Sequence, residues 1–182
     1  MTRRVISVSG PPGAGKSTLL AALSRRLGAR EVLYDDFEVV TSWPPDRVEA
    51  WLDNGAPIEG SLAPGLYEHL ISLDGIVLLE TPFGRACPQT GPLIDVAIWL
   101  ECPLDVALAR KLSSLAHLGR EHVDFPGFLS GWLWAYQRFT RRALLMQCDR
   151  VKKGVDTAIP ADASPEKIVS NAFSFLNQNL AP

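Results

Sequence analysis

Gly10-Pro11-Pro12-Gly13-Ala14-Gly15-Lys16-Ser17-Thr18 decides how this chain is read, because its spacing fits the phosphate-binding pattern G-x-x-x-x-G-K-[ST]. Glycines at both ends let the backbone close into a concave turn whose N–H groups point inward at the phosphates of a nucleotide. Lys16 is placed to reach the β- and γ-phosphates, and the Ser17 hydroxyl to take one position on Mg²⁺. The helix that follows adds the positive end of its dipole.

The flanking sequence supplies the context that this loop requires. Val5-Ile6-Ser7-Val8-Ser9 is a short, largely apolar, β-branched run of the kind found in strands buried in parallel sheets. Beyond the loop, Leu19, Leu20, Leu23 and Leu27 recur at helical spacing, and Gly28 is placed to end that helix. Further strands are expected at Glu31-Val32-Leu33-Tyr34, Ile76-Val77-Leu78-Leu79, Val96-Ala97-Ile98-Trp99-Leu100 and Thr157-Ala158-Ile159. Helices are expected after Pro44-Pro45-Asp46, after Pro64-Gly65, from Pro103 to about Leu118, from Gly127 to Asp149, and after the Ser164-Pro165 cap. Strands alternating with helices predict a three-layer α/β/α fold around a mainly parallel, five-stranded sheet. The acids Asp35, Asp36 and Glu80 stand at strand ends, where open parallel sheets bind their ligands.

Length and composition narrow the choices. A chain of 182 residues has room for one substantial α/β domain, and its 47% hydrophobic and 21% charged content is that of a globular protein. No run is long and apolar enough to cross a membrane, and the short basic start leads straight into the loop rather than into a signal peptide. A cytoplasmic protein is therefore expected, with Cys87, Cys102 and Cys148 as reduced thiols. A formal charge of −2 offers no global attraction to nucleic acid. The partner expected is a small molecule, with neither nucleic acid nor membrane. His69, His117 and His122 have no ligand-type spacing that points to a metal site, and Arg138, Arg141 and Arg142 read as a solvated helix face.

The chain resembles the uridine kinase and phosphoribulokinase-like group of small-molecule kinases. The resemblance lies in the phosphate loop, in Tyr34-Asp35-Asp36-Phe37, in Glu80, and in Asp105-Val106-Ala107-Leu108-Ala109-Arg110-Lys111. It continues through Gly119-Arg120-Glu121 and from Tyr136 into Lys152-Lys153-Gly154-Val155-Asp156-Thr157-Ala158-Ile159-Pro160. It implies ATP and Mg²⁺ as cofactors and assigns roles by position. Asp35 would accept the proton of the acceptor hydroxyl, and Asp36 or Glu80 would support the metal together with Ser17. Arg110 and Arg120, on a lid spanning about 110–127, would bring guanidinium groups onto the γ-phosphate.

Between Phe37 and Ile76 the sequence departs from that family, with Ser42-Trp43-Pro44-Pro45 and Glu59-Gly60-Ser61-Leu62 where uridine kinases carry nucleoside-contacting elements. The acceptor-binding region is expected at about 37–75, with a pocket of Asp35, Phe37, Trp43, Glu80 and Arg85, and with Trp51 as a further candidate. The expected activity is transfer of the γ-phosphate to a hydroxyl of a small metabolite, a nucleoside or a sugar. A regulatory ATPase and a nucleic-acid end kinase stand as alternatives. The guanine-reading [NT]-K-x-D motif is absent, which argues against a GTPase.

Overall fold

A computed structural model describes residues 3–118 and 124–179. Five strands form one sheet in the order β2-β3-β1-β4-β5, every neighbouring pair parallel. They are β1 (Arg4–Ser9), β2 (Arg30–Leu33), β3 (Ile76–Glu80), β4 (Ile94–Glu101) and β5 (Thr157–Pro160). The helices are α1 (Lys16–Leu27), α2 (Pro45–Asp53), α3 (Leu66–Ser72), α4 (Leu104–Leu118), α5 (Phe125–Ala135), α6 (Arg141–Val151) and α7 (Pro165–Asn179). The helix expected from Gly127 to Asp149 is one helical run divided by a π-turn at Tyr136–Thr140, which joins α5 to α6.

Alternation along the central strands sorts their side chains into two cores. Ile6 and Val8 of β1 and Leu78 of β3 join Leu19, Leu20 and Leu23 of α1 and Ile168, Val169, Ala172 and Leu176 of α7 on one face. Val5, Val77 and Leu79 pack on the other face with Leu66 and Leu70 of α3. Both faces are covered, which is why these strands read as unbroken apolar runs. The expected three-layer α/β/α architecture is the one observed.

A third, smaller core holds α2 against the helical run of α5 and α6. Leu52, Ala56 and Phe139 are buried there, with Trp51, Ala143 and Met146 packed around them. The arginines expected on a solvated face are exposed, and two of them also hold this joint at its rim. Arg138 grips Glu49 through two hydrogen bonds of 2.6 and 2.8 Å, and Arg142 pairs with Asp53 at 2.6 Å. Exposed pairs of this kind are screened by water and contribute little, whereas truncating a buried leucine such as Leu52 costs about 2–5 kcal/mol, so packing dominates the joint. Arg141 remains exposed.

Arg85 corrects the sequence reading. It was expected in the acceptor pocket, but its guanidinium donates to both carboxylate oxygens of Asp156, at 2.9 and 2.8 Å, and to the carbonyls of Asp95 and Gly154. Its Nε reaches the carbonyl of Ile94. Ile94 pairs with Val5 near the start of β1, so this clasp sits at the end of the sheet opposite the phosphate loop. A fork of donors meeting a planar carboxylate and three backbone carbonyls accounts for the placement.

Asp156 also accepts the Ala97 amide at 2.8 Å. The Arg85 hydrogen bonds, with that amide in support, hold its carboxyl below the ordinary carboxylate range. The native state therefore favours the charged form, and the stabilisation is present above the unfolded carboxyl's titration and lost as the pH falls below it. Because both side chains are partly exposed, Asp156→Asn should cost only about 1 kcal/mol at pH 7. Urea unfolding should show a smaller difference from the parent at pH 3; equal losses at both pH values would rule out the charged pair as the cause.

Candidate active site

The phosphate loop leaves β1 at Ser9, whose hydroxyl donates to the Thr81 carbonyl at 2.7 Å and ties the ends of β1 and β3 together. Gly13, at φ +91°, cannot be replaced in this loop, because a Cβ there would lie 2.0 Å from the carbonyl oxygen of Ala107 on α4. Gly10, at φ +151°, is pressed in the same way against the backbone of Leu100. The loop is thus held between two strand ends and one helix, and it opens into a cleft of about 420 Å³. Gly10, Pro12, Gly13, Gly15, Lys16, Ser17 and Thr18 all line that cleft. Pro11 braces it from behind by accepting the Ala14 amide and the Lys16 ammonium, and Ala14 is buried.

Lys16 is the first residue of α1, and its Nζ lies 3.4 Å from Oε1 of Glu80. Both side chains are largely buried, so the pair sits where solvent screens it weakly. Glu80 reaches this position because β3 runs alongside β1, with Val8 opposite Glu80. On the other side of β3, Leu33 also pairs with Glu80, which brings the residues after β2 to the same end.

Asp35 and Asp36 part company there. Tyr34–Asp36 form a tight 3₁₀ turn, in which successive side chains point in different directions. Asp35 lines the cleft and Asp36 does not, so of the two acids offered for the metal Glu80 is the one placed in it. Among the described residues no group of three or more His, Cys, Asp or Glu forms a metal cage. The oxygens of Ser17, Asp35 and Glu80 nevertheless share one cleft, and Mg²⁺ characteristically takes one or two protein oxygens with water and phosphate for the rest.

A second cavity of about 230 Å³ adjoins the cleft. Tyr34, Asp35, Pro82, Leu144 and Gln147 line both spaces, so the two adjoin along these residues, with Asp35 as the carboxylate they share. Trp51 lines the second cavity, as the sequence allowed. Trp43 does not: its ring lies 3.9 Å from the Arg47 guanidinium and edge-on to Trp51. Phe37 turns instead into the core beside α3, 5.3 Å from the His69 ring. Of the expected acceptor residues, Asp35 and Glu80 therefore face the cleft, and Phe37, Trp43 and Arg85 are used elsewhere.

Arg110 lines the cleft from α4 and donates to the Ala161 carbonyl just after β5. It also borders a third cavity of about 320 Å³ between the loop and α7, walled by Ala163, Pro165, Ile168 and Val169. Arg120 lies in 119–123, outside the described residues.

Several cleft residues escaped the sequence reading. Lys111 and Ser114 border the cleft from α4 with Arg110; Ser114, four residues after Arg110, is legible from helical spacing once Arg110 is chosen, whereas Lys111, its immediate neighbour, is not. Tyr34, Leu144 and Gln147 carried no signal beyond an apolar periodicity. Burial pushes the Tyr34 phenol above its ordinary range, with Cys87, Glu38 and Asp35 adding to it, so it stays protonated. Asp35 is left as the carboxylate between the two cavities.

No protein-family model matches the chain. It is 29% identical over 159 residues to the tRNA modification GTPase MnmE of Methylobacterium sp. (strain 4-46), a match covering 85% of this chain and 33% of that protein. The chain thus spans about a third of the length of that relative. Among solved structures, a gluconokinase from Sinorhizobium meliloti 1021 superposes with a TM-score of 0.56 at 15% identity, over 96% of this chain and 92% of that one. A sugar kinase from Janibacter sp. HTCC2649 gives 0.53 at 15% identity, covering 96% and 95%. Shikimate kinase from Aquifex aeolicus vf5 gives 0.52 at 16% identity, covering 97% and 98%. These structures are named for substrates other than uridine, so the likeness holds at the level of the fold: this chain has the three-layer phosphate-loop fold that small-molecule kinases also have.

Proposed function

We propose that this protein is an ATP-dependent phosphotransferase acting on a hydroxyl of a small metabolite. One observation carries the reading: the phosphate-loop cleft and the second cavity meet at Asp35. A triphosphate in the first space and an alcohol in the second would have their reacting atoms on either side of that carboxylate. The fold shared with a gluconokinase, a sugar kinase and a shikimate kinase supports the same reading.

The loop amides and Lys16 would hold the β- and γ-phosphates, with Lys16 exchanging Glu80 for phosphate oxygens. The cavity bordered by Arg110, Ile168 and Val169 is of a size and polarity to take the base. Ser17 and Glu80 would hold Mg²⁺, which when bound would offset the negative charge of the phosphates. The acceptor oxygen forms a bond to the γ-phosphorus as the bond from that phosphorus to the bridging oxygen breaks. ADP leaves, and the hydroxyl proton passes to Asp35. Arg110 and Lys111 would place positive charge beside the transferring group. Arg120 belongs to the same proposal as the second arginine of a lid over about 110–127, within a chain read as one kinase domain.

The MnmE match raises a GTPase reading, and the missing guanine-reading motif weighs against it. Titration calorimetry should find ATP bound more tightly than GTP. Lys16→Ala should weaken ATP binding by about 100-fold or more, and unchanged binding would remove the loop from the site. Asp35→Asn should leave ATP binding intact while lowering kcat by about 10²- to 10⁴-fold, as expected for loss of a general base. Retention of full turnover by that variant, in an ADP-release assay with an active acceptor, would assign the proton to another group.

A further inference from the structure

The second cavity limits which alcohol can enter it. We infer that the acceptor is a hydroxyl compound with a flat, apolar ring body and no anionic group; this rests on the phosphotransferase reading above. The inference sets the protein apart from neighbours named for gluconate and shikimate, both of which are carboxylates.

Val40, Trp51, Ile58, Phe83, Ala143 and Met146 surround the space, so a polyol entering it would leave several hydroxyls against carbon with no partner. A ring with few polar atoms loses nothing by the same transfer and gains contact with the Trp51 indole and the Phe83 ring.

Charge selects in the same direction. Arg150 is the cation on this cavity among the described residues, and its guanidinium is already engaged by the Ala56 carbonyl at 2.6 Å and by the Gly55 carbonyl. Gln147 points its amide NH₂ at the Pro82 carbonyl, 2.6 Å away. The Thr41 amide and hydroxyl both donate to Glu38. These donors therefore hold protein oxygens, and the Tyr34 hydroxyl, though without a partner, is buried beneath the wall, while Asp35 and Glu38 present negative charge. An anionic acceptor would meet two carboxylates against a single guanidinium whose Nη atoms are already turned to backbone carbonyls, so repulsion outweighs attraction. Arg85, the residue best suited by sequence to bind an anion, is held at the far end of the sheet by Asp156.

Orientation follows from the way the cavities join. Asp35 makes no hydrogen bond or ion pair among the described residues, and it stands at the passage to the phosphate loop. The acceptor hydroxyl donates to Asp35, with its oxygen toward the γ-phosphorus, while the ring lies back against Trp51 and Ile58. On transfer the oxygen gains the bond to phosphorus, ATP loses its γ-phosphoryl group to become ADP, and the proton resides on Asp35.

The test uses the full chain with Mg²⁺ and ATP. Indole-3-ethanol and thymidine serve as uncharged ring alcohols, D-gluconate as a sugar acid and D-glucose as a polyol. ADP release measures turnover, and titration calorimetry in the presence of a non-hydrolysable ATP analogue measures acceptor binding. At least one ring alcohol should bind and stimulate ADP release at least tenfold more than gluconate or glucose. Ile58→Asn, which alters a half-buried wall residue, should lower kcat/KM for that alcohol about tenfold, with circular dichroism confirming the fold. Preference for gluconate or glucose would overturn the inference, as would failure of both ring alcohols to bind or indifference of kcat/KM to Ile58→Asn. Ring alcohols that bind, with binding weakened by Ile58→Asn but no ADP release, would uphold the pocket chemistry and overturn phosphoryl transfer instead.

Discussion

The contact between Gly13 and the backbone of α4 is the constraint on which the rest of the site depends. With no side chain at this position, the Ala107 carbonyl sits where a Cβ would otherwise be, and the loop is clamped between β1 and α4. That clamp aims the loop amides into the cleft and brings the Arg110, Lys111 and Ser114 face of α4 over the same space. A looser approach would leave the amides free to turn toward water, and the helix would no longer border the nucleotide cleft.

Parallel pairing does the remaining assembly. Because β1, β2 and β3 run in one direction and in register, the residues following Ser9, Leu33 and Glu80 emerge at one edge although they are far apart in sequence. Lys16 and Glu80 meet there as a mostly buried ion pair. Such a pair keeps the lysine extended across the cleft and leaves it able to change partners, since phosphate oxygens offer the same charge with more acceptors.

The acceptor side is built differently, by helices rather than by strand ends. The joint of α2 with α5 and α6 rests on a small apolar core, and the arginines around it are turned toward α2 acids or backbone carbonyls. The π-turn at Tyr136–Thr140 falls within the run that supplies Thr140, Ala143, Leu144 and Gln147 to the cavity walls. A single wide turn shifts the phase of every residue after it, and turns of this kind recur near functional sites. Positive charge that appears abundant in the sequence is thereby used in holding the joint together.

The sequence by itself determined the phosphate loop, the five parallel strands, the helices between them and the placing of Asp35 and Glu80 at strand ends. These are local properties: a nine-residue spacing, apolar runs, caps and periodicity act over one or two turns of chain and need no distant partner. Only the tertiary structure decided which side chains share a space. It turned Asp35 into the cleft and Asp36 out of it, gave Trp51 rather than Trp43 to the second cavity, and bound Arg85 to Asp156 across 71 residues. The reason is that a charged or aromatic side chain settles wherever the fold offers complementary groups, and those groups come from elements that the local pattern does not see.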